Sequence, residues 1–379
     1  MNHIYKALLD AGIPVWEYGV TALDAYWDRP PRPVRFLVAA CSQVDLARLF
    51  ENLEYPGLPY ADASLNLQSQ SDEQASPAGT GLRFLCMEQP VITGRGGWLA
   101  FRRNVANGVF HDDGAIYQAL RSGRSPDLPI ASENSLFDAA ILATLYPSPP
   151  QIDPSVLDAP DKPSSDYQRD LLIAILAGPY PASGLDLLMR SGFIERVWPE
   201  LARLRTVDHS KEFHPEGDGW EHTLETFSHR KTPDLVLSLA LLLHDIGKPL
   251  SAMHDGRRFD RHAELGATLA RKILVRVGFP LPLCEDVAYL IRYHMMPAAL
   301  PSLPVSKVEQ ILRDPRFPVL LELFRCDEFS SFKEPERYYQ ACAAYRQVQR
   351  NIRNPYRNAD GSLSSERQVL PSHGKIHGL

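Results

Sequence analysis

The residues of this sequence best suited to do chemistry stand at the end of one strongly apolar stretch. Leu235–Leu243 is almost wholly apolar and is followed at once by His244, Asp245, Gly247 and Lys248. An imidazole and a carboxylate that enter a protein interior need a polar partner there. A metal ion suits both side chains, because histidine nitrogen and aspartate oxygen are common ligands of divalent metals.

Further candidates lie at the ends or on the apolar faces of other predicted helices. A single histidine on a helix usually has a structural role, but here several candidates accumulate at positions that could converge. They are His222, His262, His294 and Asp327.

The elements that must position these side chains are helices. From Asp166 to Ile352, apolar residues recur at three- and four-residue spacing, and the connections between the segments are short. This pattern predicts a compact helical bundle. The stretch before His244 is predicted to be a buried helix stopped by Gly247 and Pro249, since it is shorter than the roughly 20 apolar residues that cross a bilayer.

Residues 1 to about 125 have a different character, mixing strand-like runs with turns. Arg35–Ala40 is predicted to be a buried strand and Gln43–Leu53 a helix. Two further strands are predicted at Leu99–Arg103 and Gly114–Tyr117. The chain is thus expected to have an α+β N-terminal unit, then an all-α part, with loops or connections at residues 68–81, 120–132 and 147–165.

Bulk composition narrows the class of protein. The 379 residues are 44% hydrophobic and 23% charged, which excludes wholesale disorder. The net charge of -6 gives no general attraction to nucleic acid, so any RNA contact requires a local basic patch. Five cysteines without a CxxC pair, and an N-terminus without a signal-peptide pattern, predict a cytoplasmic protein with no membrane partner.

The order His222…His244-Asp245…Asp327 resembles that of the HD superfamily of metal-dependent phosphohydrolases. Two further histidines match those of its dinuclear members. The resemblance implies a two-metal centre in which one ion is held by His222, His244, Asp245 and Asp327, and the other by Asp245, His262 and His294.

The resemblance also implies roles for basic residues. Lys248 matches a lysine that contacts substrate phosphate, so Asp245 and Lys248 are the catalytic candidates, and Arg261 and Arg292 are expected to help neutralise phosphate oxygens. Two metal ions acidify a shared water and stabilise an in-line displacement at phosphorus. Mixed histidine and aspartate ligands suit Mn, Fe, Co, Ni or Zn, and suit Mg less well.

A wider resemblance is to bacterial tRNA nucleotidyltransferases, the CCA-adding and poly(A) polymerase-like enzymes. It is carried by Tyr18–Pro31, Phe101–Val105, Gly192–Leu201 and His214–Thr223. It implies a nucleotidyltransferase-like head (1–125), a helical neck (126–205) and an HD body (206–355), and the polar composition after Pro355 predicts a tail (356–379).

The head departs from that family at its chemical centre. Pro33 and Arg35 stand where the family has a pair of Mg²⁺-binding aspartates, and Tyr18 replaces one glycine of the opening pair. Proline offers no ligand and arginine repels a cation. Asp24 and Asp28 have the wrong spacing to substitute, and no nucleotide-reading segment is evident around Ser132–Asp138. We therefore expect a degenerate head without nucleotidyl transfer.

These features predict a metal-dependent phosphohydrolase that acts on a phosphomonoester, a cyclic phosphodiester or a nucleotide. Its partner would be a phosphate-bearing small molecule or an RNA end, tRNA included. The alternatives are a tRNA nucleotidyltransferase and a non-catalytic RNA-binding relative. RNA contact would use two sets of basic residues: Arg346, Arg350 and Arg353 on the last helix, and Arg102, Arg103, Arg121 and Arg124 near the head.

Overall fold

The computed structural model of the chain describes residues 2–67, 81–87, 101–112, 115–122, 135–146, 153–207, 217–251, 259, 261–331, 336–354 and 356–364. Within these residues a mixed sheet comes first and a long series of helices follows. The predicted order, an α+β unit and then an all-α part, is confirmed.

The N-terminal unit contains one sheet, whose described strands lie in the order β3-β4-β5-β2-β1-β6-β7. The strands are β1 (Val15–Tyr18), β2 (Val34–Ala39), β3 (Leu53–Glu54), β4 (Ala63–Asn66), β5 (Gly81–Cys86), β6 (Phe101–Asn104) and β7 (Phe110–Asp112). The β2–β5 pair is parallel and the other pairs are antiparallel.

Helices cover both faces of this sheet. They are α1 (Asn2–Asp10), α2 (Val20–Tyr26), α3 (Gln43–Leu49) and α4 (Ile116–Arg121). Ile4 and Leu8 of α1 pack with Leu37 and Phe84 on one face. On the other face, apolar residues such as Phe36 join the core of the helical part. The alternation of buried side chains along β2 sends successive residues into these two cores.

The helical part runs from residue 135 to residue 353. Its α-helices are α5 (Ser135–Ala143), α6 (Ser165–Leu176), α7 (Pro181–Arg190), α8 (Phe193–Val197), α9 (Pro199–Ala202), α10 (Gly219–Thr226), α11 (Leu235–Leu243), α12 (His262–Val277), α13 (Leu281–Tyr293), α14 (Met296–Ala299), α15 (Val305–Arg313), α16 (Phe317–Phe329) and α17 (Glu336–Arg353). Short 3-10 helices lie at Pro154–Val156, Arg203–Thr206, Phe227–His229, Lys248–Leu250 and Leu300–Ser302. Among the described helices, none has the length and apolarity needed to traverse a bilayer.

One strand prediction is wrong. Where a strand was predicted at Gly114–Tyr117, the described residues form a helix instead, since Ile116–Arg121 is α4. The Asp112 carboxylate accepts a hydrogen bond from the Tyr117 backbone N–H at 3.0 Å, which stabilises the start of the helix. A four-residue apolar run is too short for periodicity to separate the two structures. The loop predicted over residues 68–81 lies almost wholly outside the described residues.

A buried ion pair joins the sheet to the helical part. Arg83 of β5 donates to both carboxylate oxygens of Asp170 on α6, at 2.6 and 2.8 Å, and both residues are almost fully buried. The Tyr60 hydroxyl donates to the same carboxylate at 3.1 Å. Burial, followed by the Asp170 charge, holds the pKa of Tyr60 well above its usual value. The head is thereby fixed to α6 through fully buried polar contacts.

Candidate metal centre

The centre is organised by α11, the apolar helix predicted from the sequence. Asp234 caps its start by accepting a hydrogen bond from the Leu237 N–H at 2.7 Å. The helix is buried along nearly its whole length and ends at Leu243. His244 and Asp245 follow directly and are 1% and 2% exposed. Because α11 is buried on nearly all sides, its residues are almost all apolar. His244 and Asp245 lie in the protein interior because they directly follow this buried helix.

Three histidines of the centre are held in one orientation by their own backbone. The Nδ1 atoms of His244, His262 and His294 lie 2.9, 2.9 and 2.6 Å from the carbonyl oxygen three residues earlier. Because a carbonyl only accepts, each Nδ1 must carry the proton in the neutral ring. The lone pair is therefore on Nε2, and all three Nε2 atoms face the same region.

A first cluster forms where α10, the end of α11 and α16 meet. His222 Nε2 lies 3.1 Å from Asp327 Oδ1 and 3.8 Å from Asp245 Oδ2. His244 Nε2 lies 3.3 Å from Asp245 Oδ2 and 3.8 Å from Asp327 Oδ1. Two nitrogens and two carboxylates thus surround one point.

A second cluster adjoins it on the other side of Asp245. His262 Nε2 lies 3.2 Å from His294 Nε2 and 3.8 Å from Asp245 Oδ1. The ligand atoms of these three residues all lie within 4.8 Å of one another, as do those of His222, His244 and Asp245. One carboxylate oxygen therefore faces each cluster, which is the geometry of a bridging ligand.

The arrangement of these side chains fits bound cations. Within the described residues, the buried His244 Nε2 has no hydrogen-bond partner. The two Nε2 atoms that face each other at 3.2 Å both carry lone pairs, which repel unless a positive charge lies near them. Three or four nitrogen and oxygen ligands per cluster suit first-row transition metals.

The charges of the centre agree with this fit. Burial alone would raise the pKa of Asp245, but the His244 ring and the Lys248 ammonium hold that pKa well below its usual range. Burial likewise opposes a low pKa at Asp327, yet the close contact of this carboxylate with the His222 ring lowers its pKa strongly. Burial, followed by the charges of His244 and His262, lowers the pKa of His294 to about 4. Anionic carboxylates and a neutral histidine are the forms that bind metals.

The basic candidates fall in different places. Lys248 Nζ lies 2.5 Å from Asp245 Oδ2 and 5.5 Å from the Phe259 ring centroid, so it belongs to the centre. Arg261 precedes α12 with a left-handed backbone and is exposed. Arg292 lines a surface groove of about 340 Å³ with Tyr289 and other side chains of α12 and α13, and no side chain of the two clusters lines that groove.

Sequence reasoning missed one contact residue. Ser330, just after α16, lies 3.3 Å from His222 Nδ1 and donates to the Asp327 carbonyl at 2.7 Å. The signal available in the sequence was its place three residues after Asp327, directly after the end of the helical pattern.

Gly247 permits the close approach of the α11 end to α12. A Cβ atom there would lie 2.1 Å from the His262 carbonyl oxygen and 2.6 Å from the Gly266 nitrogen. We expect Gly247→Ala to push the start of α12 away, destabilise the fold by about 1–3 kcal/mol and weaken the second cluster's metal affinity. Thermal melting and metal titration would measure both effects.

The matched control is Gly266→Ala, on the opposite side of the same contact. Its Cβ would meet no atom closer than 3.3 Å, and alanine favours the helix. Gly266→Ala should therefore lower the free energy of unfolding less than Gly247→Ala does. Equal melting temperatures for the wild type and Gly247→Ala would contradict the account.

The head offers no comparable set of carboxylates at the positions that resemble nucleotidyltransferases. Arg35 forms an ion pair with Glu17, which also accepts from Arg103 at 3.1 Å and from the Tyr5 hydroxyl at 3.1 Å. Tyr5 belongs to α1, so that helix covers this face of the sheet. Asp24 is buried in an ion pair with Arg32, whose Nε lies 2.5 Å away.

Comparisons with known proteins agree with the two resemblances. Residues 219–314 match the family model of the HD domain. A CC-adding tRNA nucleotidyltransferase of Thermus thermophilus is 39% identical over 141 residues, 35% of this chain and 32% of that protein. A Multifunctional CCA protein of Halorhodospira halophila is 36% identical over 123 residues, 32% of this chain and 29% of that protein.

A third relative is of another kind. A bifunctional uridylyltransferase/uridylyl-removing enzyme of Mycobacterium tuberculosis is 30% identical over 216 residues, 54% of this chain and 23% of that protein. The matches thus span less than a third of each of these relatives. A solved CCA-adding enzyme with ATP superposes at TM-score 0.44 and 12% identity, covering 93% of this chain and 82% of that one, which is too weak to bear on function.

Proposed function

Because the chain contains an HD domain and is homologous over part of its length to tRNA nucleotidyltransferases, we propose that it is a metal-dependent phosphoester hydrolase. Its centre would use two divalent ions. The first would be held by His222, His244, Asp245 and Asp327. The second would be held by Asp245, His262 and His294.

The observation that carries this proposal is the division of one carboxylate between two histidine clusters. Asp245 presents Oδ2 to His222 and His244 and Oδ1 to His262. A pair of divalent ions, when bound, supplies an activated water and charge stabilisation at phosphorus. Lys248 beside the same carboxylate would hold a non-bridging phosphate oxygen, since its ammonium is a compact phosphate-binding charge.

Nucleotidyl transfer is the second candidate, and the names of two relatives favour it. The side chains of the head oppose it. At the place where the family binds its metal, this chain has Pro33 and Arg35, and Arg35 is engaged by Glu17 under α1. Cation binding there would require breaking that ion pair and adding carboxylates. We infer that the head, neck and body occupy residues 1–125, 126–205 and 206–355, and that the body alone is catalytic.

The substrate we favour is a phosphate at or near a nucleic-acid end. One relative is named a uridylyl-removing enzyme, which favours phosphoester cleavage but names no nucleic acid, so the preference for a nucleic-acid end rests on the basic residues of α17. Arg346, Arg350 and Arg353 are all exposed on α17, and no acidic residue follows Glu336 in that helix. Three arginines at this spacing form one stripe that can contact successive phosphates. Near the head, in contrast, Arg103 is engaged by Glu17, and Arg124 lies outside the described residues.

The test combines metal analysis with a substrate panel. Purified protein would be stripped of metal, reloaded with Mn²⁺, Co²⁺ or Ni²⁺, and assayed on p-nitrophenyl phosphate, a 2′,3′-cyclic nucleotide and an oligoribonucleotide with a terminal phosphate. We expect metal-dependent release of phosphate or opening of the ring, fastest on the oligonucleotide. A parallel assay with tRNA and labelled CTP or ATP should show no incorporation.

Two outcomes would overturn the proposal. Tight binding of two metals without hydrolysis of any panel member would leave a metal site without the proposed chemistry. Incorporation of labelled nucleotide into tRNA would establish the second candidate instead.

A further inference from the structure

The four histidines of the centre are not held alike. His244, His262 and His294 each direct Nδ1 at a backbone carbonyl, which can only accept a hydrogen bond. His222 Nδ1 instead faces the side-chain hydroxyl of Ser330 at 3.3 Å. A hydroxyl both donates and accepts, so this contact alone does not dictate which ring nitrogen of His222 carries the proton.

Ser330 resolves that ambiguity through its second contact. Its hydroxyl donates to the Asp327 carbonyl oxygen at 2.7 Å, three residues back on α16. A serine has a single hydroxyl proton, and the shorter contact to a carbonyl uses it. The oxygen is then available to accept from His222 Nδ1, which leaves the lone pair on Nε2 for a cation bound near that atom and Asp327 Oδ1, 3.1 Å away.

We propose that Ser330 is the positioning residue that keeps His222 in its metal-binding tautomer. It does so by linking two ligands at once, the His222 ring through its hydroxyl oxygen and the Asp327 backbone through its hydroxyl proton. Ser330 itself is 4% exposed and held at the end of α16 by a hydrogen bond from its N–H to the Cys326 carbonyl at 3.1 Å. The inference depends on the proposed metal centre and concerns its first ion.

Without the hydroxyl, the other tautomer becomes favourable. An Nε2–H group on His222 would donate directly to Asp327 Oδ1 at the observed 3.1 Å, which pairs two prospective ligands with each other. A metal ion would then have to break that hydrogen bond and shift the proton. Loss of a partner that orients a histidine ligand typically lowers metal affinity about 10- to 100-fold.

The experiment compares Ser330→Ala with Ser331→Ala. Ser331 is a matched control, because it also donates to the carbonyl three residues back, at 2.9 Å to Glu328, but no described contact joins it to His222. In full-length protein with ¹⁵N-labelled histidine and just enough Zn²⁺, a diamagnetic ion, to saturate the wild type, long-range ¹H–¹⁵N NMR should show the Nδ1–H tautomer of His222 in the wild type and in Ser331→Ala. Ser330→Ala should show the Nε2–H tautomer.

Calorimetric titration with Mn²⁺ should then separate the variants. Ser330→Ala is expected to lower the affinity for the first ion by about 10- to 100-fold and to leave the affinity for the second ion nearly unchanged. Ser331→Ala should bind both ions with affinities within about twofold of the wild type. Ser330→Thr, which keeps the hydroxyl, should retain the wild-type tautomer and most of the affinity. Far-UV circular dichroism would verify that each variant is folded.

The outcomes discriminate between this inference and the proposed function. The same His222 tautomer in the wild type and Ser330→Ala would overturn the role of Ser330, whatever the protein hydrolyses. An equal loss of affinity for the first ion in Ser330→Ala and Ser331→Ala would indicate a general effect at the end of α16. That result would also overturn the role of Ser330. A tautomer change in a protein that hydrolyses no phosphoester would uphold the positioning role and refute the proposed function.

Discussion

Replacing Asp245 with alanine should remove both metal sites with one substitution. Its two oxygens face different histidine clusters, Oδ2 toward His222 and His244 and Oδ1 toward His262. Charge stabilisation by bound metals contributes several kcal/mol to such reactions, so hydrolysis should fall by roughly 10³-fold or more. Metal content by elemental analysis should fall from two ions per chain to none.

Two further variants give this prediction its specificity. Asp327→Ala removes a ligand that faces only the first cluster, and His294→Ala one that faces only the second. Each should lose one ion and keep the other. The bridging role of Asp245 would be refuted if Asp245→Ala retained one ion, or if all three variants lost metal to the same extent.

Asp170→Ala should be among the most destabilising substitutions in the chain, although it lies outside the metal centre. It would leave the Arg83 guanidinium buried without its carboxylate, between the sheet and α6. Removing one partner of a buried ion pair typically costs about 3–5 kcal/mol. Chemical denaturation should show this loss of stability as a lower denaturant concentration at the midpoint of unfolding.

The control is a neighbouring pair that is less buried than Arg83 and Asp170. Asp166 pairs with Arg169 within one turn of α6 and is partly exposed, so Asp166→Ala should cost less than about 1 kcal/mol. The double variant Arg83→Met with Asp170→Leu removes both buried charges. It should recover much of the free energy of unfolding that Asp170→Ala loses. A midpoint for Asp170→Ala equal to that of Asp166→Ala would show that the pair does not hold the head to the helical part.

Much of the local architecture was predictable because its causes are local. The apolar run before His244 specifies a buried helix, and the polar residues that follow it directly mark the candidate functional residues. The periodicity after Asp166 predicted an all-α part, which the structure has. The prediction failed at Gly114–Tyr117, where an aspartate cap from outside the short run stabilises a helix instead.

The candidate centre could be only half predicted. The residue types and their order indicated His222, His244, Asp245, His262, His294 and Asp327 as a set, and the structure places them together. Their roles as ligands stay a prediction. The place of Arg292 on the outer groove was not foreseeable, because one helix position decides which side of α13 a side chain occupies.

The sequence by itself determined which side chains are available and which segments are helices, because periodicity and capping act over a few residues. Tertiary structure decided the rest. It set which oxygen of Asp245 faces which cluster, which atom orients His222, and how Asp170 meets Arg83 across the chain. These outcomes depend on contacts between residues far apart in sequence, whose distances and orientations no local pattern specifies.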